Sequence, residues 1–209
     1  MRKSKYIAFE GLDGSGKTTQ INKLKSYYEK LGHKVIIARQ PGYTKLGEKI
    51  REIVLNNEEI FNETDLTLFL ASHVHGILKL GQKEEEGTIF ILDRTIASTI
   101  CYQGFSLSLV ESLISFYMKL VRHWEIDHLI YLDLDPNIAK DRVSETDRFE
   151  TRGLDFMVQL RDNYKKLLMS ESYPLGIFKT HSVIEIDNDT TPDRIHNCIV
   201  EILKEEGLA

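Results

Sequence analysis

Five short apolar runs, rich in β-branched and aromatic residues, recur along the chain, and longer amphipathic stretches separate them. The runs are YIAF (Tyr6 to Phe9), KVIIA (Lys34 to Ala38), TIFIL (Thr88 to Leu92), HLIYLDL (His128 to Leu134) and SVIEI (Ser182 to Ile186). Helical patterning covers Thr18 to Leu31, Leu46 to Leu55, Asp65 to about Glu85, a region ending near Val121, Met157 to Met169, and Pro192 to Glu205. Strands separated by helices lie parallel, joined by right-handed crossovers, with helices covering both faces of the sheet. The pattern predicts an α/β protein with a five-stranded parallel sheet. A chain of 209 residues can bury roughly 70% of its unfolded surface, so one domain over residues 1–209 is expected, without a disulfide or metal staple.

Composition narrows the function classes. A net charge of −5 with interspersed acids and bases lacks the basic face that nucleic-acid binding needs to displace counterions. The N-terminal apolar run is interrupted by Glu10 and Asp13, too early for a signal peptide, and no apolar segment reaches membrane length. Cys101 and Cys198 match no C-x-x-C spacing and read as small hydrophobes of a reduced chain. A soluble, cytoplasmic protein is expected, with no nucleic-acid or membrane partner. The acidic run Glu84 to Glu86 reads as the solvated end of a helix before Gly87.

The first run leads into GLDGSGKT, in which Gly11, Gly16, Lys17 and Thr18 meet the pattern G-x-x-x-x-G-K-T between a strand and a helix. Backbone amides of Asp13 to Thr18 then form a nest at a helix N-terminus, where unpaired donors and the helix dipole favour a polyanion. Glycine at 11, 14 and 16 lets that anion approach the backbone. Lys17 would neutralise β- and γ-phosphate oxygens, and the Thr18 hydroxyl would ligate Mg²⁺. The nucleotide-binding set is Gly11, Leu12, Asp13, Gly14, Ser15, Gly16, Lys17, Thr18 and Thr19. A GTPase would also carry D-x-x-G and N-K-x-D segments, and neither occurs. Asp93, ending the third strand, reads either as the acid holding a metal-bound water or as a cap of the following helix.

In an open parallel sheet the ligand crevice lies beyond the carboxyl ends of the strands. Arg39 and Arg94 fall just after strands, and Arg51 lies on the helix after QPGYT. Their planar forks suit bidentate phosphate contacts. Gathered cations suggest an acceptor that is itself an anion. A hydroxyl acceptor needs a general base, whereas a phosphate monoester is largely ionised already. At the end of the second strand, where a nucleoside kinase would hold a carboxylate, this chain has Gln40.

The segments FEGLDGSGKTTQ, RQPGYTKLGEKIRE, LDRTIASTICYQG, YLDLDP and DRFETRGLDF resemble, in order and approximate spacing, those of the thymidylate kinases, which convert dTMP and ATP to dTDP and ADP. The resemblance implies a three-layer α/β/α P-loop kinase fold with a short helical lid at about 142–155, ATP as co-substrate with Mg²⁺, and a homodimer. It further implies that Asp13 contacts the sugar 3′-hydroxyl or metal-bound water, and that Arg94 clamps the dTMP phosphate with Arg39 and Arg51. Phe69 would stack on thymine, Thr99 and Gln103 would reach the base edge, and Tyr102 would press where a 2′-hydroxyl would sit. Tyr164 would line the acceptor pocket, and Pro41 would follow a cis peptide bond. In one branch of the family the loop carries an arginine where this chain has Gly14. The catalytic cation then falls to the lid, with Arg148 first, Arg142 next and Arg152 third.

Three departures qualify the likeness. His73 stands where the family places an arginine that donates to thymine. Positions 69 and 73 share a helix face, so a protonated or suitably tautomeric histidine could still donate; a weaker preference for dTMP over dUMP is expected. RQPGYT replaces the usual REPGGT, and the lid is shorter and poorer in arginine. Two rivals stay open: a deoxynucleoside kinase, and a nucleotide-binding regulator that has lost catalysis. The apolar helix from Leu107 to Val121 reads equally as a dimer face or a core helix.

Overall fold

A computed structural model describes residues 4–56, 60–105, 108–122, 124–142, 149, 152–169, 177–187 and 189–209. The strands are β1 (Lys5–Gly11), β2 (Val35–Arg39), β3 (Ile89–Asp93), β4 (Ile126–Leu134) and β5 (Phe178–Ile186). All pair in parallel, in the order β2-β3-β1-β4-β5. The expected five-stranded parallel sheet is therefore present. Central strands covered on both faces have no polar side, and every residue of β4 is buried.

The helices are α1 (Lys17–Lys30), α2 (Lys45–Asn56), α3 (Asn62–Gly81), α4 (Ile96–Thr99), α5 (Val110–Leu120), α6 (Pro136–Arg142), α7 (Gly153–Met169) and α8 (Pro192–Glu205). A π-helical turn, Ile100–Gly104, extends α4. Short α6 has no counterpart in the periodicity, and α7 begins four residues before its expected start. Helix α3 ends at Gly81, so Glu84 to Glu86 do not belong to its last turn. Glu84 accepts a hydrogen bond from the Tyr6 hydroxyl (2.7 Å), and Glu85 pairs with Lys34 (2.7 Å).

Helix α5 buries Val110, Leu113, Ile114, Tyr117 and Met118, while Phe116 and Leu120 face outward. Among the described residues, no helix is long and apolar enough to cross a membrane. The chain reverses its direction of progress across the sheet between β1 and β3, and the register there matches Phe9 with Asp93 and Arg39 with Asp93. A crevice opens at that switch point.

Candidate active site

The loop from Gly11 to Gly16 turns β1 into α1. At Gly11 the backbone has φ 146°, and a Cβ there would stand 2.7 Å from the Leu132 carbonyl oxygen and 2.8 Å from Ser15 Oγ. Only glycine fits. Helix α1 starts at Gly16 with no side-chain cap, so its first amides are left for an anion. Lys17 folds back over the loop and donates to the Gly11 and Leu12 carbonyls at 3.1 and 2.9 Å. Burial, aided by the Arg94 cation, pushes its pKa down to about 8 against the pull of Asp13, Asp93 and Glu10. Thr18 is exposed at the loop's mouth, whereas Leu12 and Ser15 are buried beneath it.

Arg94, the first residue past β3, has a left-handed backbone (φ 69°), and its N–H donates to the Phe9 carbonyl at 3.0 Å. That conformation turns its side chain across the end of β1. There Nη2 donates to Asp13 Oδ1 (2.5 Å) and Nη1 to the Gly11 carbonyl (3.1 Å). Burial works against both charges of this pair. Even so, Arg94 and Lys17 hold the Asp13 carboxyl well below the usual carboxylate range, and Asp13 leads the groups that raise the Arg94 pKa.

Two chambers meet at this ion pair. One, of about 440 Å³, is lined by the loop, Lys17, Thr18, Arg39, Asp93 and Arg142; the other, of about 120 Å³, by Pro41, Phe69, His73, Thr99, Tyr102, Gln103 and Phe149. Asp13, Gln40, Arg51 and Arg94 line both. Most of the residues singled out by the sequence thus converge, from strand ends, loops and helices far apart in the chain. Arg39 lines only the loop-side chamber, where it is half exposed and paired with Glu48 at 3.0 Å. The Gln40–Pro41 bond is cis.

Several expectations need correction. Tyr164 lines neither chamber; it is fully buried behind Arg94, stacked on Tyr131 at 5.0 Å. Thr19 faces a separate groove between α1 and α8. Asp93 does not cap the helix after β3, because Thr95 does so, accepting from the Ala97 N–H at 3.0 Å. The surroundings of His73 work against a proton on its ring. The ring is 1% exposed, burial drives its pKa down to about 3, and its Nε2 has no partner among the described residues.

Of the lid candidates, Arg142 reaches the Gly14 carbonyl (3.4 Å) at the rim of the loop-side chamber. The guanidinium of Arg152 lies 4.8 Å from the ring centres of both Phe149 and Phe156. Arg148 and most of the segment 142–155 lie outside the described residues.

The sequence reading missed Glu10, Ser98 and Phe149. Phe149 stands edge-on to Tyr102 (5.6 Å) and tilted to Phe69 (6.0 Å), closing the second chamber. A charged residue inside the apolar run YIAFEG was the available signal for Glu10, since a buried carboxylate needs dedicated donors.

An anion nest, a lysine over it and a second, arginine-bearing chamber sharing one wall make a site for transfer between two phosphates. The loop and the sheet order place the chain among the P-loop phosphotransferases. The thymidylate kinase family model matches residues 9–188. A thymidylate kinase of Thermoanaerobacter sp. (strain X514) is 34% identical over 207 residues, covering 97% of this chain and 98% of that one. One of Thermosipho africanus is 40% identical over 167 residues, 78% and 83% of the two chains. The crystal structure of thymidylate kinase from Ehrlichia chaffeensis superposes with a TM-score of 0.72 at 27% identity, covering 96% and 98%. The chain belongs to the thymidylate kinase family.

Proposed function

We propose that this chain transfers the γ-phosphoryl group of ATP to dTMP, giving dTDP and ADP. The observation that carries the reading is the pair of chambers meeting at Arg94, Arg51 and Asp13. Among the described lining residues of the acceptor chamber the one carboxylate is Asp13, already engaged by Arg94. An acceptor there must bring its own negative charge, as a monophosphate does.

ATP places its phosphates on the loop amides and Lys17. The acceptor phosphate takes the place of Asp13 on the outer edge of the Arg94 fork, with Arg51 and Arg39 beside it, and so faces the γ-phosphoryl for in-line attack. Phe69 offers a flat face to the base. Thr99, Gln103 and a neutral His73 line its edge, and Tyr102 crowds the sugar. Arg142, with Arg148 of the lid, meets the charge that develops on the transferred group. Thr18 and Asp93 share the loop-side chamber. One hydroxyl and one carboxylate suit a Mg²⁺ that arrives with the nucleotide and keeps most of its waters. When bound, Mg²⁺ would offset phosphate charge.

Residues 1–209 form one domain in this reading, because the main core draws on residues from Tyr6 to Leu208, with a smaller cluster of Ile50, Val54 and Phe149 beside it, and 142–155 is its lid. Phe116 and Leu120, one turn apart and 55% and 38% exposed, are the face of α5 assigned to a second copy of the chain. The setting is cytoplasmic, consistent with two free cysteines.

The deciding experiment measures ADP release with dTMP, dUMP, thymidine, dGMP and no acceptor. Turnover with dTMP and slower turnover with dUMP are expected. Faster turnover of thymidine would make the protein a nucleoside kinase, and ATP binding without acceptor-dependent turnover would make it a regulator.

A further inference from the structure

Glu10, the penultimate residue of β1, is completely buried and follows the apolar run Tyr6 to Phe9. Its Oε1 accepts from the Thr95 N–H (2.7 Å), Thr95 Oγ1 (2.8 Å) and the Ser98 N–H (3.3 Å). Its Oε2 accepts from Ser98 Oγ (2.7 Å) and the Tyr164 hydroxyl (2.8 Å). These bonds stabilise a buried charge and tie β1 to α4 and α7. That much is structural.

The directions of the protons carry the argument further. A carboxylate only accepts, and each hydroxyl has one hydrogen. Ser98 Oγ and the Tyr164 hydroxyl also lie 2.9 Å from each other. However the two hydrogens are shared among these three oxygens, both are consumed inside the triangle. The hydroxyl oxygens can then show only lone pairs to Arg94, whose Nη1 lies 3.2 Å from Ser98 Oγ and 3.5 Å from the Tyr164 oxygen. The Glu10 charge itself stands 4.0 Å from Nη1. Nη1 is thus held by fixed protein acceptors, whereas Nη2 is held by Asp13, whose side chain is 40% exposed. One half of the fork is anchored; the other is exchangeable.

We infer that Glu10 is a positioning residue for phosphoryl transfer: by committing Ser98 and Tyr164 as acceptors, it fixes the Arg94 fork at the junction of the two chambers, leaving the edge held by Asp13 to be exchanged for the acceptor phosphate. This inference rests on the reading of Arg94 as the acceptor-phosphate ligand. Glu10→Gln, of nearly equal size, would present an amide N–H₂ to Ser98 and Tyr164. Their hydrogens would then turn toward the Arg94 N–H groups, and the fork would lose its anchor.

The test is steady-state kinetics with ATP and dTMP on Glu10→Gln, Ser98→Ala, Tyr164→Phe, Arg94→Ala and the Glu10→Gln/Ser98→Ala double variant. Affinity for a non-hydrolysable ATP analogue is measured without acceptor by calorimetry. Hydrogen bonds to a charged group are worth roughly tenfold or more in binding. Glu10→Gln should therefore raise the dTMP KM at least about tenfold and lower kcat, with analogue affinity unchanged when measured well below pH 8, where Lys17 is charged. Ser98→Ala and Tyr164→Phe should shift the same parameters by less, and the double variant should lose less than the product of the single losses, because part of the Glu10→Gln effect runs through the Ser98 hydroxyl. A folded Glu10→Gln protein with the wild-type dTMP KM, while Arg94→Ala loses dTMP binding, overturns the inference and leaves the function intact. Should Arg94→Ala also keep its dTMP KM, the acceptor-phosphate reading fails first. If Glu10→Gln does not fold, an unchanged dTMP KM in both hydroxyl variants overturns the inference, and a raised one in either supports it.

Discussion

Gln40 Nε2 occupies the space beside Gly76 so closely that a Cβ built on that glycine would stand 2.1 Å from it. Gln40 follows β2, Gly76 lies in the C-terminal third of α3, and the buried amide fills the room a side chain would take. Glycine inside a helix costs about 1 kcal/mol relative to alanine, so residue 76 gives up helix stability to seat Gln40. Gly76→Ala should nonetheless destabilise the protein, by about 1–3 kcal/mol, as overpacking outweighs the propensity gain. It should also raise the dTMP KM by shifting the Gln40–Pro41 wall. Adding Gln40→Ala should recover most of the stability in urea denaturation; strictly additive losses would show that the two side chains do not compete.

Nucleotide affinity should depend on the charge of Lys17. Its pKa in the free protein is pushed down to about 8, first by burial and then by Arg94, and polyphosphate beside it would push it back up. Below pH 8 the lysine is already charged and ATP binding needs no proton. Above pH 8 it is neutral, and binding must take one up. Affinity should therefore fall as pH rises from 8 to 9.5, with proton uptake visible as a dependence of calorimetric heat on buffer ionisation enthalpy. No uptake at pH 9 would refute this.

Arginine near the transferred group should affect rate more than binding. Arg142 already touches the loop at the Gly14 carbonyl, and its replacement by alanine should lower kcat by roughly 10- to 100-fold with ATP affinity little changed. Arg148→Ala should cost about 10³-fold. Single-turnover rates of the two variants rank them. A larger loss at Arg142 would exchange the assignments.

His73 should shape the acid limb of stability. Its folded pKa is driven down to about 3 by burial, against about 6.5 when unfolded. Between these values the unfolded chain binds a proton that the native one does not, so stability is fully present above pH 6.5 and is lost as pH falls toward 3. By pH 5 the loss from this residue is about 2 kcal/mol. His73→Gln should flatten the decline in Tm between pH 6.5 and 5; an unchanged slope would place a proton on the native ring.

The nucleotide loop and the sheet were legible in the sequence because both depend on near neighbours. Eight consecutive residues from Gly11 to Thr18 set the turn, the nest and the lysine, and strand and helix periods are local properties of the backbone. Arg94 and Asp93 could be placed for the same reason, at the end of a recognisable strand. Phe69 and Tyr102 were singled out through family likeness, since an aromatic on a helix face reads as core by itself. Only the tertiary structure decided what Glu10, Gln40 and Tyr164 do. The Glu10–Tyr164 hydrogen bond joins residues 154 positions apart, and Gln40, just past β2, meets Gly76 on α3. It also decided that Thr95 rather than Asp93 caps α4, and that His73 is buried where a charge is disfavoured. Burial and proton direction depend on every group packed around a side chain, and no local pattern encodes that surrounding.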